Sequence, residues 1–173
     1  EPSRRQRQMC IRDRYYIDVT VKDGDEDEFK IESKKHKLIL NSVKNMITES
    51  NKQVATLEFV SVEAITNETS RLNKKFTGNV SQTVLDILTE DEKGIKTKKK
   101  VFGPKKEDEV EEDRATNSYS FVGNLRRPFD TIQWLCPKTQ SSKESFGFLF
   151  YETLDGFHFR SIEKLLKQEA LPY

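Results

Sequence analysis

Residues 147–162 read Gly-Phe-Leu-Phe-Tyr-Glu-Thr-Leu-Asp-Gly-Phe-His-Phe-Arg-Ser-Ile (GFLFYETLDGFHFRSI). Two aromatic-rich runs, Phe146 to Tyr151 and Phe157 to Arg160, flank Asp155-Gly156. Alternating bulky residues on either side of an Asp-Gly pair predict a β-hairpin. In such a strand Phe157 and Phe159 share a face, and His158 faces the opposite way. Ser161 then supplies the side-chain oxygen that caps a helix through Ile162, Leu165 and Leu166.

Upstream, Tyr119 to Val122 predicts a short strand, with Gly123-Asn124 as a turn. Pro128 suits the first position of a helix, Phe129, Ile132 and Cys136 share one face, and Pro137 ends it. Earlier still, Val80, Val84, Ile87 and Leu88 follow the i, i+4, i+7, i+8 spacing of a buried helical face, with Gly94 read as its stop. A basic run, 96–100, and an acidic run, 107–113, are separated by Gly103-Pro104. Blocks of opposite sign around Gly and Pro predict an exposed, charged insertion at about 94–117.

The first half has period two. Tyr15, Ile17, Val19 and Val21 alternate with mostly polar neighbours, and Phe29 with Ile31 begins a second strand after a Lys-Asp-Gly-Asp turn. Leu38 to Ile47 and Val54 to Val60 supply two more strands around a polar turn. Ser61 is a helix cap for Ala64, Ile65 and Glu68. The fold class expected is α+β: an antiparallel β-barrel segment at 15–62, incomplete, followed by a mixed α+β domain at 63–173.

Residues 1–14 (EPSRRQRQMCIRDR) fit no structural period. Met9 to Arg14 resembles the conceptual translation of a transposon-end sequencing adaptor, so this stretch is read as a foreign leader on an environmental or assembled sequence. It contains five of the 30 Lys+Arg and two of the 29 Asp+Glu, leaving 25 against 27, a net charge of −2 for the remainder. A near-neutral body removes the electrostatic case for nucleic-acid binding as the main function. No apolar run approaches the roughly 18–20 residues of a membrane span. Two cysteines, Cys10 and Cys136, make neither a disulfide framework nor a zinc site, which points to a soluble protein made in a reducing compartment.

Several segments, in order, resemble the baseplate central hub protein of T-even-type contractile-tail phages. They are FVSVEAI (59–65), KFTG (75–78), GNLRRPF (123–129), Trp134-Leu135, GFLFYET (147–153) and DGFHFRSI (155–162). The resemblance implies a homotrimeric ring in the virion, with two related β-barrels per subunit, joining the spike to the tail tube. Partners would be further copies of the chain, the spike, and tube or baseplate proteins. The present sequence would be a fragment running from late in one barrel through most of the next domain.

Single features carry little chemistry. Asp23, Asp25 and Asp27 open like a calcium loop, but Glu28 and Lys34 stand where the loop needs Gly and Glu, so no metal is expected. Cys136 with His36 or His158 leaves a Cys-dependent hydrolase open as an alternative, although an apolar helical face favours a buried thiol. Glu152 and Asp155 have the look of a cell-wall hydrolase pair, yet a hairpin turn explains both. Asn67 and Asn79 stand in glycosylation-type triplets. A small nucleic-acid-binding module on 96–100 is a further alternative. No catalytic residue and no cofactor are assigned. The candidate interface residues are Arg126, Arg127 and Arg160, cations at predicted helix starts, where the dipole disfavours them unless an acid or a partner compensates.

Overall fold

The computed structural model describes residues 18–23, 27–31, 37–49, 52–90, 92–104, 113–141 and 145–168. The adaptor-like leader, the first residues of the opening strand and the centre of the acidic run lie outside them. The chain is α+β, divided into two compact units, Glu1–Ile65 and Thr66–Tyr173.

The first unit contains two antiparallel hairpins. Strands β1 (Val19–Asp23) and β2 (Asp27–Ile31) pair in register Val19↔Ile31. Strands β3 (Leu38–Glu49) and β4 (Lys52–Ser61) form a longer ribbon with two irregularities in register, between Leu40 and Ser42 and between Lys44 and Ile47. Asn45, inside the second, has φ +50°, the left-handed conformation that an extra bulge residue adopts. The described strands form two separate two-stranded sheets and no closed barrel. Ser61 Oγ accepts from Ala64 N at 3.3 Å at the start of helix α1 (Val62–Thr69).

The second unit contains the aromatic core. Strand β5 (Lys75–Phe76) pairs antiparallel with β7 (Phe121–Val122). The hairpin of β8 (Phe148–Glu152) and β9 (Gly156–Ser161) is joined by β6 (Lys100–Phe102), which pairs parallel to β9, making a three-stranded sheet in the order β6-β9-β8. Its inner face presents Val101, Phe148, Phe157 and Phe159, all essentially inaccessible. Helix α2 (Val80–Thr89) adds Val80, Val84, Ile87 and Leu88, and helix α3 (Pro128–Leu135) adds Ile132 and Leu135. Phe129 of α3 lies 5.4 Å from Phe150 and 5.7 Å from Phe157, ring centre to ring centre. Burying one such side chain stabilises by roughly 1.5–3 kcal/mol, so this cluster is the main source of stability in the unit. A single 3-10 turn (Cys136–Lys138) ends α3 at Pro137, and a short helix α4 (Ile162–Leu166) follows Ser161, whose Oγ accepts from Lys164 N at 3.3 Å.

Two expectations are corrected here. The stretch at about 94–117 is not an exposed insertion at its ends. Ile95, Thr97, Val101, Gly103, Asp113 and Ala115 are buried, while Lys96, Lys98 and Lys100 point outward. Burial therefore alternates along the basic run, with lysines on the solvent side and small or branched residues inside, and strand β6 begins at its last lysine, Lys100. Asp113 anchors the far end: its carboxylate accepts from Ser161 N at 2.5 Å and its own amide donates to Gly103 O at 3.2 Å. The second correction concerns Gly94, which is not the stop of α2. That helix ends at Thr89, and its last carbonyls are taken by the returning chain, through Ile95 N to Ile87 O at 3.0 Å and Thr97 N to Leu88 O at 2.8 Å.

Two glycines make the parallel seam possible. A Cβ at Gly156, where φ is +152°, would lie 2.2 Å from Lys100 O, and one at Gly103 would lie 2.1 Å from Phe159 O. Gly78 has φ +110° but open space around it. Gly156→Ala is thus expected to destabilise the protein by more than about 2 kcal/mol, and Gly78→Ala by only about 1 kcal/mol. Urea unfolding of the two variants compares them directly; equal midpoints would show that backbone approach at the seam is not limiting.

Candidate functional site

The three arginines singled out by sequence fall in different surroundings. Arg126 and Arg127 lie on the turn between β7 and α3. Gly123 begins this turn because a Cβ there would meet Leu72 O at 2.7 Å. Asn124 and Leu125 follow with φ of +48° and +57°. Asparagine tolerates that region, whereas leucine pays about 1–2 kcal/mol for it. Four backbone bonds hold the conformation: Gly123 N to Lys74 O, Leu125 N to Leu72 O, Leu72 N to Arg126 O, and Arg126 N to Gly123 O, all between 2.8 and 3.0 Å. The strained Leu125 side chain is 60% exposed, and neighbouring Val122 is 53% exposed.

Arg127 is held locally. Its Nη1 donates to both carboxylate oxygens of Glu68, at 2.7 and 2.8 Å, and its Nε donates to Asp130 Oδ2 at 2.8 Å. Those two acids, Asp130 foremost, push the guanidinium pKa above its already high value. The compensation anticipated for a cation at a helix start is thus supplied within the chain, and exposed pairs of this kind contribute little to stability. The start of α3 has its own cap from a distance: buried Asn67 of α1 accepts from Phe129 N through Oδ1 at 2.8 Å. Asn67 is therefore an internal cap. Asn79 has a similar task at α2, where its Oδ1 accepts from Ser81 N at 2.9 Å and its Nδ2 donates to Ala115 O at 2.7 Å.

Arg126 is arranged differently. Its guanidinium lies over the Trp134 ring, 5.1 Å from the centroid, and Lys138 Nζ lies over the same ring at 4.1 Å. Phe121 and Tyr119 stand steeply to the indole at 5.4 and 5.7 Å, and Phe76 stacks on Phe121 at 5.0 Å. Arg126 forms no salt bridge among the described residues. Beside it opens a cleft of about 170 Å³, lined by Phe121, Val122, Gly123, Arg126, Thr131 and Trp134 among others. Sequence reasoning assigned no interface role to Trp134; its place next to Arg126 follows from the helical turn between them and from β5–β7 pairing.

Arg160 lies on the outer face of the three-stranded sheet, half-buried, beside His158. On that face Phe102, His158 and Tyr151 stack in a row across the three strands, with centroids 4.6 and 4.9 Å apart and planes within 13°. His158 Nε2 and Thr153 Oγ1 are hydrogen-bonded at 2.9 Å. Burial, with the nearby Arg160 charge adding to it, lowers the His158 pKa below 6.5, partly offset by Asp155.

The described features that had suggested chemistry are placed apart, and His36 lies outside the described residues. Cys136 is buried in the core and its pKa is raised to about 11 by burial, so the thiolate nucleophile is scarce. His158 faces outward, away from that core. Glu152 is ion-paired with Lys99 at 2.5 Å. Among the described residues no group of three or more His, Cys, Asp or Glu could hold a metal ion, and part of the Asp23–Asp27 loop lies outside them. No helix among the described residues is long and apolar enough to cross a membrane. No protein-family model, curated protein or solved structure matches the chain.

Two measurements follow. Cys136 in the native protein is expected to resist iodoacetamide at pH 8 and to react rapidly once unfolded; peptide mass mapping reads this, and fast native labelling would contradict a buried, high-pKa thiol. For His158, a depressed folded pKa means that the unfolded state takes up its proton first as pH falls. The associated stability is therefore present above about 6.5, the unfolded value, and declines as pH falls towards the folded pKa. An NMR titration midpoint for His158 at or above 6.5 would sink this assignment.

Proposed function

We propose that the chain is a non-enzymatic structural component of a contractile phage tail, part of the baseplate hub that links the spike to the tail tube. The observation that carries an assembly role is the β3–β4 ribbon. Leu40 with Phe59, and Val43 with Leu57, are cross-strand partners on one face of it. Val43 and Leu57 are about half exposed on that face; Ile47 and Val54, cross-strand partners on the other face, and Met46 at the irregularity are exposed by more than half. An isolated two-stranded ribbon is marginal in water, and one that exposes apolar residues on both faces presents surfaces that another protein covers. Glu58 steadies the opposite face by accepting from Ser42 Oγ at 2.5 Å and pairing with Lys44.

The hub reading itself rests on the ordered segments that resemble that family. In the fold, two of the most specific of them, 123–129 and 147–162, are the strained arginine turn and the core hairpin. On this reading the two hairpins of the first unit are part of a barrel, the working assembly is a trimer in the virion, and Arg126, Arg127 and Arg160 are interface candidates. Buried aromatic and arginine anchors, rather than a catalytic constellation, would supply the binding energy.

The DNA that flanks this reading frame tests the proposal: spike, tube or wedge genes are expected beside it, and an unrelated operon sinks the hub assignment. A protein-level check uses the double substitution Met46→Glu, Val54→Glu. Because both side chains are exposed, stability should change by less than about 1 kcal/mol. Association with co-expressed neighbouring tail proteins, measured by analytical ultracentrifugation, should be lost; unchanged association would remove the ribbon as the assembly surface.

A further inference from the structure

We propose that the cleft between the β7–α3 turn and Trp134 is a docking site for an acidic peptide segment of a partner protein, one that carries a bulky apolar side chain. The proposal concerns a different surface from the β3–β4 ribbon and stands whether or not the chain comes from a tail hub.

Size is the first argument. At about 170 Å³ the cleft is smaller than the roughly 300–1,000 Å³ of sites that enclose small molecules. It matches the roughly 150 Å³ that accommodates a single benzene ring. One aromatic or branched side chain fills it; the exposed Val122 is among the lining residues, and the exposed Leu125 stands in the same turn between the lining Asn124 and Arg126.

Charge is the second. Arg126 lines the cleft, Lys138 shares the same indole, and no acidic side chain is among the lining residues. Glu68 and Asp130, acids that reach this turn, are engaged by Arg127. Among the described residues Arg126 thus keeps its hydrogen-bonding fork for an incoming carboxylate while its guanidinium lies over the tryptophan ring. The same residue types, tryptophan, tyrosine and arginine around a desolvated pocket, dominate binding energy at protein interfaces.

Stacking geometry decides between a peptide and a nucleic acid. Single-stranded nucleic acids need free aromatic faces on which bases stack. Here two cations already lie over Trp134, Phe121 and Tyr119 crowd it steeply, and Phe121 is itself stacked on Phe76. The rings are committed to one another, which favours carboxylates and a side-chain anchor over bases. The left-handed backbone at Leu125 is the third argument. Backbone bonds hold this leucine in the turn while its side chain stays in solvent, and strain of this kind clusters where a surface is used.

Trp134 is the sole tryptophan, so intrinsic fluorescence of the full chain reports on the site directly. The probe is a short synthetic peptide of aspartates and glutamates around one phenylalanine. A saturable change in fluorescence is expected, weakened at least about tenfold by Arg126→Glu and by raised salt. Leu125→Gly relieves the left-handed strain and so should leave the melting temperature unchanged or raised while weakening the peptide, an outcome a merely structural role would not produce. The proposal is overturned by any of four results: no saturable change, equal binding of a peptide with alanine in place of phenylalanine, tighter binding of a single-stranded oligonucleotide, or full binding by Arg126→Glu.

Discussion

The second unit depends on one strand, β9, being buried on its inner face and hydrogen-bonded along both edges. Phe157 and Phe159 point from it into the core, Phe148 stacks on Phe159 at 4.8 Å and Phe150 on Phe157 at 5.8 Å. With β8 alone the strand would keep one edge open. β6 closes it, and the approach is so tight that glycine is needed at both Gly103 and Gly156. Asp113 then ties the returning chain to the end of the same strand through Ser161 N. A buried carboxylate is tolerated because a backbone N–H at a helix start meets it, the arrangement that most favours an anionic acceptor.

The polar decoration follows from that core. Residues of β6, β8 and β9 that alternate with the buried phenylalanines form the outer row of Phe102, His158 and Tyr151, with Arg160 alongside. Helix α3, docked through Phe129, Ile132 and Leu135, brings Trp134 to the surface under Arg126. The charged groups most suited to chemistry are dispersed by this arrangement. Cys136 points inward where its thiol is suppressed, His158 points outward between two rings, and Glu152 is occupied by Lys99. Exposed apolar side chains, such as Leu125 and those of the β3–β4 ribbon, remain accessible, and the proposed assembly role draws on them.

Much of the second unit was legible in the sequence. The Phe157/Phe159 alternation around Asp155-Gly156, Pro128 at the first turn of α3, and the spacing of Val80, Val84, Ile87 and Leu88 all signal their elements locally. The basic run misled because a segment with lysines on its outward side and buried residues between them resembles a solvated loop when read by charge; Ile95, Thr97 and Val101 carried the contrary signal. The site was legible only in part. Arg126 and Arg127 were singled out together for helix position, yet one is satisfied by Glu68 and Asp130 while the other is stacked on Trp134. No local rule separates them, because Glu68 is brought to Arg127 from 59 residues away.

By itself, then, the sequence determined where the long strands, the core hairpin and the helices form, though not strands β5 and β6, and that the chain is α+β, since periodicity, caps and turn residues act within a few positions. Only the tertiary structure decided that β6 pairs parallel to β9, that Asn67 caps α3, that Asp113 is buried, and which arginine stands over an open cleft. Those outcomes depend on contacts between distant segments, whose energies are set by packing and desolvation rather than by any residue's neighbours in the chain.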